Sequence, residues 1–174
     1  MGGRTLTAQA LPKPALRPML PTDLPVLAAI FRVSIAELTG DDYSEAQQAA
    51  WAEVAEAPEF AARLGKQLTL IATVASAPVA FISLKGADHI DMLYVHPGVV
   101  RQGIATMLYD AIEKLAAARG ARVLTVDASD TALKFFQKRG FEGVHRNTVP
   151  VGDEWLGNTH MKKALQAVPV GRPS

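Results

Sequence analysis

The stretch between residues 89 and 128 constrains the fold of this chain most, because it predicts a strand, a helix and a second strand in close succession. His89–Val95 is β-branched and aromatic, and it ends just before Pro97. Apolar residues then recur at helical spacing from Ile104 to Leu115, and Val123–Ala128 has the composition of a buried strand. Such a crossover pairs its two strands in parallel. Ligands of these sheets favour the carboxyl ends of the parallel strands.

The turn that joins the first strand to the helix predicts an anion site. It runs from Val100 to Ala105 and places Gly103 at the mouth of the helix. Free backbone N–H groups and the positive end of the helix dipole can hold a pyrophosphate at such a point. The turn therefore suits coenzyme A or a nucleotide.

The rest of the chain completes a mixed sheet within one domain. The other predicted elements are a short extended segment at Ala15–Met19, a helix at Leu24–Leu38 capped by Thr22, a second helix capped by Ser44, an antiparallel hairpin of Leu68–Val74 and Val79–Leu84, a short helix capped by Asp130, and a final two-stranded meander to about Lys163. We predict a single domain over residues 15–166, with disordered tails at residues 1–14 and 167–174.

Composition excludes several kinds of partner. The 18 basic and 17 acidic residues give a formal net charge of +1, which supplies no broad field for nucleic acid or an anionic membrane. The absence of cysteine excludes a thiolate nucleophile and indicates a reducing cytoplasm. No run is apolar enough for a membrane span or a secretory signal. The four histidines, His89, His96, His145 and His160, lack metal-ligand spacing, so we expect no metal.

Two longer motifs show a family resemblance. The segment "DMLYVHPGVVRQGIATMLYDAIEKLA" is followed by "LTVDASDTALKFFQKRGF", and together they resemble the GNAT superfamily of N-acetyltransferases. The resemblance implies an α/β (α+β) fold with a mixed central sheet of about six to seven strands. That sheet is mostly antiparallel, with one parallel pair splayed around the cofactor and about four flanking helices. The family's cradle pattern maps onto Val100, Gly103 and Ala105, and valine replaces the usual Arg or Gln at its first position.

The resemblance also implies a site for acetyl-CoA as co-substrate. Residues 102–106 would hold the pyrophosphate, and Leu93–Val95 would pair with the pantetheine arm like an added strand. A backbone N–H near Leu93 would face the thioester carbonyl and stabilise developing negative charge. The cofactor-binding residues expected on this basis are Leu93, Tyr94, Val95, Val100, Arg101, Gln102, Gly103, Ile104, Ala105, Thr106, Ser129, Phe135 and Phe136.

Proton transfer has several candidate residues. The acceptor amine must lose a proton, and the family often supplies a carboxylate from the third strand, where Asp91 or His89 could serve. Strand alternation puts His89, Asp91, Leu93 and Val95 on one face unless a bulge intervenes. Phe136 stands where many relatives have a tyrosine that protonates the thiolate, which leaves Ser129, Tyr94 or water. Each polar candidate also has a structural alternative as a cap or an ion-pair partner.

The acceptor is predicted least sharply. By resemblance the first two helices and the meander surround it. Its candidate contacts are Tyr43, Trp51, His145 and Asn158, with Arg146, Asn147 and His160 nearby in sequence. We expect acetyl transfer to a primary amine of a small molecule or peptide by direct attack in a ternary complex. A non-catalytic acyl-CoA sensor is the alternative, and neutral charge disfavours charged tRNA or a ribosomal protein as acceptor. Exposed edges of the meander make a homodimer possible.

Overall fold

The computed structural model describes residues 12–166, which form a seven-stranded sheet in the order β1-β2-β3-β4-β5-β7-β6. The strands are β1 (Ala15–Pro18), β2 (Leu68–Val74), β3 (Ala77–Lys85), β4 (His89–Val95), β5 (Val123–Ser129), β6 (Glu142–Val151) and β7 (Glu154–Ala164). The α-helices are α1 (Leu24–Leu38), α2 (Glu45–Ala52), α3 (Pro58–Lys66), α4 (Ile104–Ala118) and α5 (Leu133–Lys138). Single-turn 3-10 helices lie at Pro21–Asp23, Glu53–Glu56 and Pro97–Val99. Most of both predicted tails lies outside the described residues.

The predicted crossover is confirmed, and it pairs the two strands over a very short length. Every other neighbouring pair in the sheet is antiparallel, whereas β4 and β5 run parallel. Their pairing is limited to His89 with Thr125 and Ile90 with Val126. Beyond these two pairs the strands part, and a gap opens inside the sheet toward their carboxyl ends.

Helices cover both faces of the sheet. Leu108 and Ile112 of α4 pack with Ile82 and other apolar side chains on one face. Phe31 of α1 and Leu64 of α3 form a second cluster on the opposite face. Burial of a large apolar side chain contributes roughly 1.5–3 kcal/mol, so these two clusters hold the helices against the two faces of the sheet.

A bulge in β4 breaks the predicted alternation of its side chains between the two faces of the sheet. Leu84 pairs with Ile90 and Ser83 pairs with Met92, which leaves Asp91 without a partner on β3. An inserted residue shifts the alternation of side chains. Leu93 consequently packs against the α4 cluster, while Asp91 turns to the face that carries α1 and α3. The expectation that Asp91 and Leu93 share a face was wrong.

The structure has five α-helices within residues 12–166, where about four were expected. The additional helix is α3, which begins at Pro58. Proline is tolerated at the first helical position because its missing N–H would have no partner there. Ser44 caps α2 as predicted, with its hydroxyl oxygen accepting from Gln47 N at 3.1 Å. Thr22 lies inside a 3-10 turn instead of capping α1.

Within residues 12–166, no helix is both long and apolar enough to cross a membrane.

Candidate active site

A cleft of about 860 Å³ opens where β4 and β5 part. The end of β4, the loop that leads into α4, the end of β5 and helix α5 form its walls. Most of the side chains predicted to bind a cofactor line it together: Leu93, Tyr94, Val95, Val100, Arg101, Gly103, Ile104, Ala105, Thr106, Ser129 and Phe135. The structure therefore assembles one elongated cavity from two sequence motifs.

The loop before α4 has the backbone geometry of an anion cradle. Arg101 and Gly103 both adopt left-handed conformations, with φ of 64° and 79°. No side chain among the described residues caps α4, whose first backbone bond runs from Met107 N to Gly103 O at 3.0 Å. A Cβ placed on Gly103 would have no atom of the described residues within 4 Å. The uncapped N–H groups therefore face open space, which an anion can occupy.

Two cations that the sequence analysis passed over also line this cleft, Lys138 and Arg139. The Arg139 guanidinium lies 3.7 Å from the centre of the Phe135 ring and donates to Phe135 O at 3.1 Å. It also donates to the Thr106 hydroxyl, and its Nε is buried without a partner among the described residues. Two adjacent basic residues in "FFQKRGF" were the available signal. Their approach to Thr106 is a tertiary contact.

Two of the predicted cofactor residues do not line the main cleft. Gln102 has an exposed side chain in the cradle loop. Phe136 is only 2% exposed and packs edge-on against Phe135 and Phe141, with both pairs of ring centres 5.2 Å apart. Its ring borders a second, smaller pocket.

This small pocket, of about 80 Å³, adjoins the main cleft. The two cavities share the lining residues Trp51, Leu93, Tyr94, Ser129 and Ala132. Asp91 from β4 and Asp127 from β5 line the small pocket but not the main cleft. A ligand in the main cleft would thus meet the small pocket where the two parallel strands diverge.

Asp91 is held by two residues from the region of α3. Arg63 Nη2 donates to both of its carboxylate oxygens, at 3.0 and 2.9 Å, and Gln67 Nε2 donates to Oδ2 at 2.8 Å. The carboxylate therefore has a cationic partner of its own beside the pocket.

Asp127 has histidine partners. Its Oδ1 accepts from His160 Nδ1 at 2.7 Å, and its Oδ2 lies 3.7 Å from His89 Nε2. His89 Nδ1 lies 2.7 Å from the Thr125 hydroxyl, and the His145 ring stacks on His160 at 5.1 Å. Within the described residues, no three His, Asp or Glu side chains are arranged to hold a metal ion. His89, His145 and His160 were predicted as candidate site residues, whereas Asp127, which their cross-strand register brings among them, was not.

Two residues that carry hydroxyl groups, Ser129 and Tyr94, line both cavities. Ser129 Oγ accepts from Ala132 N at 3.1 Å and retains its own proton to donate. The Tyr94 ring packs between Phe31 and Phe81, at centroid distances of 4.5 and 5.7 Å. Burial raises the pKa of Tyr94, so this phenol holds its proton more tightly than a free tyrosine does.

The predicted acceptor contacts separate into two groups. Trp51 lines both cavities, and Asn158 lies beside Ser129 in the register of β5 with β7. Tyr43, by contrast, is 7% exposed and lines neither cavity described above. Its hydroxyl donates to Gly157 O at 2.7 Å and accepts from Asp130 N at 2.9 Å, and burial raises its pKa. It ties the meander to the start of the β5–α5 connection.

His145, Arg146 and Asn147 do not converge on either cavity. His145 stacks on His160, as described above. Arg146 makes a bidentate pair with Asp130, at 2.8 and 2.9 Å. Asn147 donates to the side-chain oxygen of Asn158 at 3.2 Å. These contacts stabilise the meander and its link to β5.

Comparison with known proteins agrees with this geometry. Residues 39–165 match the family model described as an acetyltransferase (GNAT) domain. The chain is 34% identical over 147 residues to the uncharacterized N-acetyltransferase YafP of Escherichia coli K12, covering 84% of this chain and 93% of YafP.

Solved structures show the same fold. A crystal structure described as a GCN5-related N-acetyltransferase, aminotransferase class-II, from Rhodopseudomonas palustris superimposes with a TM-score of 0.87 and 60% identity, over 90% of this chain and 99% of that one. The PaiA N-acetyltransferase of Thermoplasma acidophilum, crystallised with coenzyme A, has a TM-score of 0.72 and 19% identity, over 88% of this chain and 99% of that one. At that identity the second likeness concerns the fold alone.

Proposed function

Since this chain belongs to the GNAT family of N-acetyltransferases, we propose that it transfers an acetyl group from acetyl-CoA to a primary amine of a small molecule or peptide. The observation that carries the proposal is the cleft between β4 and β5, which runs from the uncapped start of α4 to a small pocket lined by two carboxylates. One end suits an anionic cofactor, and the other end suits a cationic amine.

The chain's own residues fit the cofactor. Backbone N–H groups from Gly103 to Thr106 would bind the pyrophosphate, and the nearby cations Lys138 and Arg139 would offset its charge. Beyond the bulge, β4 from Leu93 to Val95 would offer its free edge to the pantetheine arm. PaiA, which shares the fold, was crystallised with coenzyme A. When bound, acetyl-CoA supplies an acetyl thioester activated for attack.

We propose that the amine attacks the thioester directly in a ternary complex. The sequence contains no cysteine, so an acyl-cysteine intermediate is excluded. Asp91 or His89 as base, and Ser129, Tyr94 or water as proton donor to the thiolate, stay predictions. The backbone N–H near Leu93 would stabilise charge on the carbonyl oxygen, the largest electrostatic contribution in many acyl transfers.

A catalytically silent acyl-CoA sensor is the second candidate. Phe136 favours it, because this buried ring borders the small pocket and carries no hydroxyl group to protonate a thiolate. A coenzyme A thiolate is nevertheless a tolerable leaving group. Turnover measurements separate the two functions.

The cofactor is tested by calorimetric titration with acetyl-CoA. We expect saturable binding to the wild type and loss of binding in Gly103→Trp, whose indole would fill the cradle. Gly86→Trp is the matched control, because Gly86 also has a positive φ, of 60°, and open space around the position that a Cβ would take. It lies in the β3–β4 turn, away from the cleft. Absence of binding to the wild type, or equal loss in both variants, would contradict the cofactor site.

Enzymatic activity is tested by following free thiol with acetyl-CoA and a panel of small amines, amino acids, polyamines, aminoglycosides and lysine peptides. Thiol release that depends on the acceptor supports the enzyme. Tight cofactor binding with no release from any class would support the sensor. A cytoplasmic location and a homodimer also stay predictions, and sedimentation analysis checks the latter.

A further inference from the structure

We infer that Asp127 is the residue that binds the ammonium group of the acceptor and takes its proton, with His160 as the residue that positions it. The inference rests on the proposed acetyl transfer, and it assigns a role that the sequence analysis gave to Asp91 or His89. Its starting point is the small pocket at the junction with the main cleft, where β4 contributes one carboxylate and β5 the other.

The two carboxylates have partners of different kinds. Asp91 is neutralised by the Arg63 guanidinium, which contacts both of its oxygens, and Gln67 occupies Oδ2 as well. Among residues 12–166, no lysine or arginine pairs with Asp127, whose partners are two histidines. Asp127 therefore lacks the permanently charged partner that Asp91 has in Arg63. A cationic amine gains more there than beside Asp91, because a carboxylate attracts an ammonium ion most strongly when no other cation neutralises it.

The hydrogen bonds around Asp127 leave one of its oxygens available. His160 Nδ1 donates to Oδ1 at 2.7 Å and fixes the rotation of the carboxylate. Oδ2 lies 3.7 Å from His89 Nε2, beyond hydrogen-bond distance. His160 is itself held by its stack with His145. The other charged groups near the pocket are Asp91 and, behind it, Arg63. An ammonium donor can therefore reach Oδ2 without displacing an existing hydrogen bond.

The chemical step balances without a further reagent. An N–H bond of the bound ammonium breaks, its electron pair stays on nitrogen, and the proton passes to Asp127 Oδ2. The neutral amine then forms a C–N bond to the thioester carbonyl carbon, whose π pair moves to oxygen. When that pair returns, the C–S bond breaks with its electron pair on sulfur, and the second N–H proton of the attacking nitrogen passes to the thiolate, directly or through water. Asp127 afterwards releases its proton to solvent. This is general base catalysis by a carboxylate that a neighbouring histidine orients.

Binding is tested first by NMR, using the full chain saturated with coenzyme A. Spermidine, L-lysine and tyramine are the amine probes, and tyrosol is the uncharged isostere of tyramine. We expect at least one amine to shift the Hε1 resonances of His89 and His160 saturably, with no shift from tyrosol and none in Asp127→Asn. No shift with any of the three amines, or an equal shift with tyrosol, would overturn the inference.

Kinetics with the amine that binds test the proton transfer. Asp127→Asn should lower kcat/KM for that amine by about 100-fold or more and remove the acidic limb of its pH profile. Its Kd for acetyl-CoA should not change. Asp110→Asn, the same change of charge on the exposed face of α4, is the control. Unchanged kcat/KM in Asp127→Asn would refute the role, whereas failure of the wild type to bind acetyl-CoA would refute the proposed function instead.

His160 has its own test. His160→Asn keeps an N–H donor near the position of Nδ1, and His160→Ala removes it. A positioning role predicts that the asparagine variant retains most of kcat/KM and the same pH profile. The alanine variant should have a much lower kcat/KM and an altered pH profile. Equal losses in the two variants would contradict positioning.

Discussion

Arg139 joins the two helices that flank the cradle, so replacing it should weaken the cofactor site selectively. In Arg139→Met the guanidinium is lost, while an unbranched apolar stem remains over the Phe135 ring. A charge-assisted hydrogen bond contributes about 1.5–3 kcal/mol. If Arg139 contacts a phosphate, its loss should therefore raise the Kd for acetyl-CoA about 10- to 150-fold. The variant also loses the cation–π contact and the hydrogen bonds to Phe135 O and the Thr106 hydroxyl, so its thermal midpoint is measured beside that of the wild type.

The assay compares two ligands that differ in their phosphates. Calorimetric titration with acetyl-CoA should show the loss of affinity, whereas S-acetylpantetheine, which lacks the nucleotide and pyrophosphate, should bind the variant and the wild type equally. Lys134→Met is the control, because it removes one positive charge from an exposed position of α5, the helix that ends just before Arg139. That variant should bind both ligands as the wild type does.

Two results would refute the reasoning about Arg139. An unchanged Kd for acetyl-CoA in Arg139→Met would show that the guanidinium serves only the contact between α4 and α5. An equal loss of affinity for both ligands would show that it acts through the shape of the cleft, since S-acetylpantetheine offers it no phosphate to bind.

Three further predictions concern stability. Tyr43→Phe removes two part-buried hydrogen bonds, to the Gly157 carbonyl and from the Asp130 N–H, and should lower the free energy of unfolding by about 1–3 kcal/mol in urea; an unchanged midpoint would contradict it. Ser76→Gly relieves a left-handed φ of 69° in the β2–β3 turn. It should raise the free energy of unfolding by about 1 kcal/mol, which is measured as a higher thermal midpoint. The hydrogen bond from Arg17 lowers the pKa of Asp23 in the folded state, so the stability it gives is present above the unfolded pKa of about 4 and is lost as pH falls through the folded value. The advantage of the wild type over Asp23→Asn in thermal melts should therefore disappear in acid.

Local sequence signals predicted the crossover and the glycine turn at the start of α4. A branched strand, a glycine at a helix mouth and a helical stripe each act over a few residues, so β4, Gly103 and α4 could be placed without tertiary information. Helix α3 was not predicted, although it begins at Pro58 and proline is favoured at the first position of a helix.

The chemistry of the pocket depends on long-range register and could not be predicted in the same way. Asp127 meets His160 because β5 and β7 pair in a register that aligns these two residues, which lie far apart in the sequence. The bulge at Asp91 depends on the pairing of β3 with β4. Alternation within one strand reveals neither the register of β5 with β7 nor the pairing of β3 with β4. The histidines could therefore be predicted as candidates, but the carboxylate of Asp127 between them could not.

The early divergence of β4 from β5 places an unpaired strand edge inside the sheet. Unpaired edges at the periphery of a sheet invite other chains to add a strand, and proteins protect them for that reason. Here the free edge of β4 lines the cleft between β5 and the start of α4 and not the periphery of the sheet. A slender, flexible ligand with amide groups can reach it. The fold thereby places the unpaired backbone N–H and C=O groups of β4 where a small molecule can pair with them, and not at the periphery of the sheet where strands of other proteins pair.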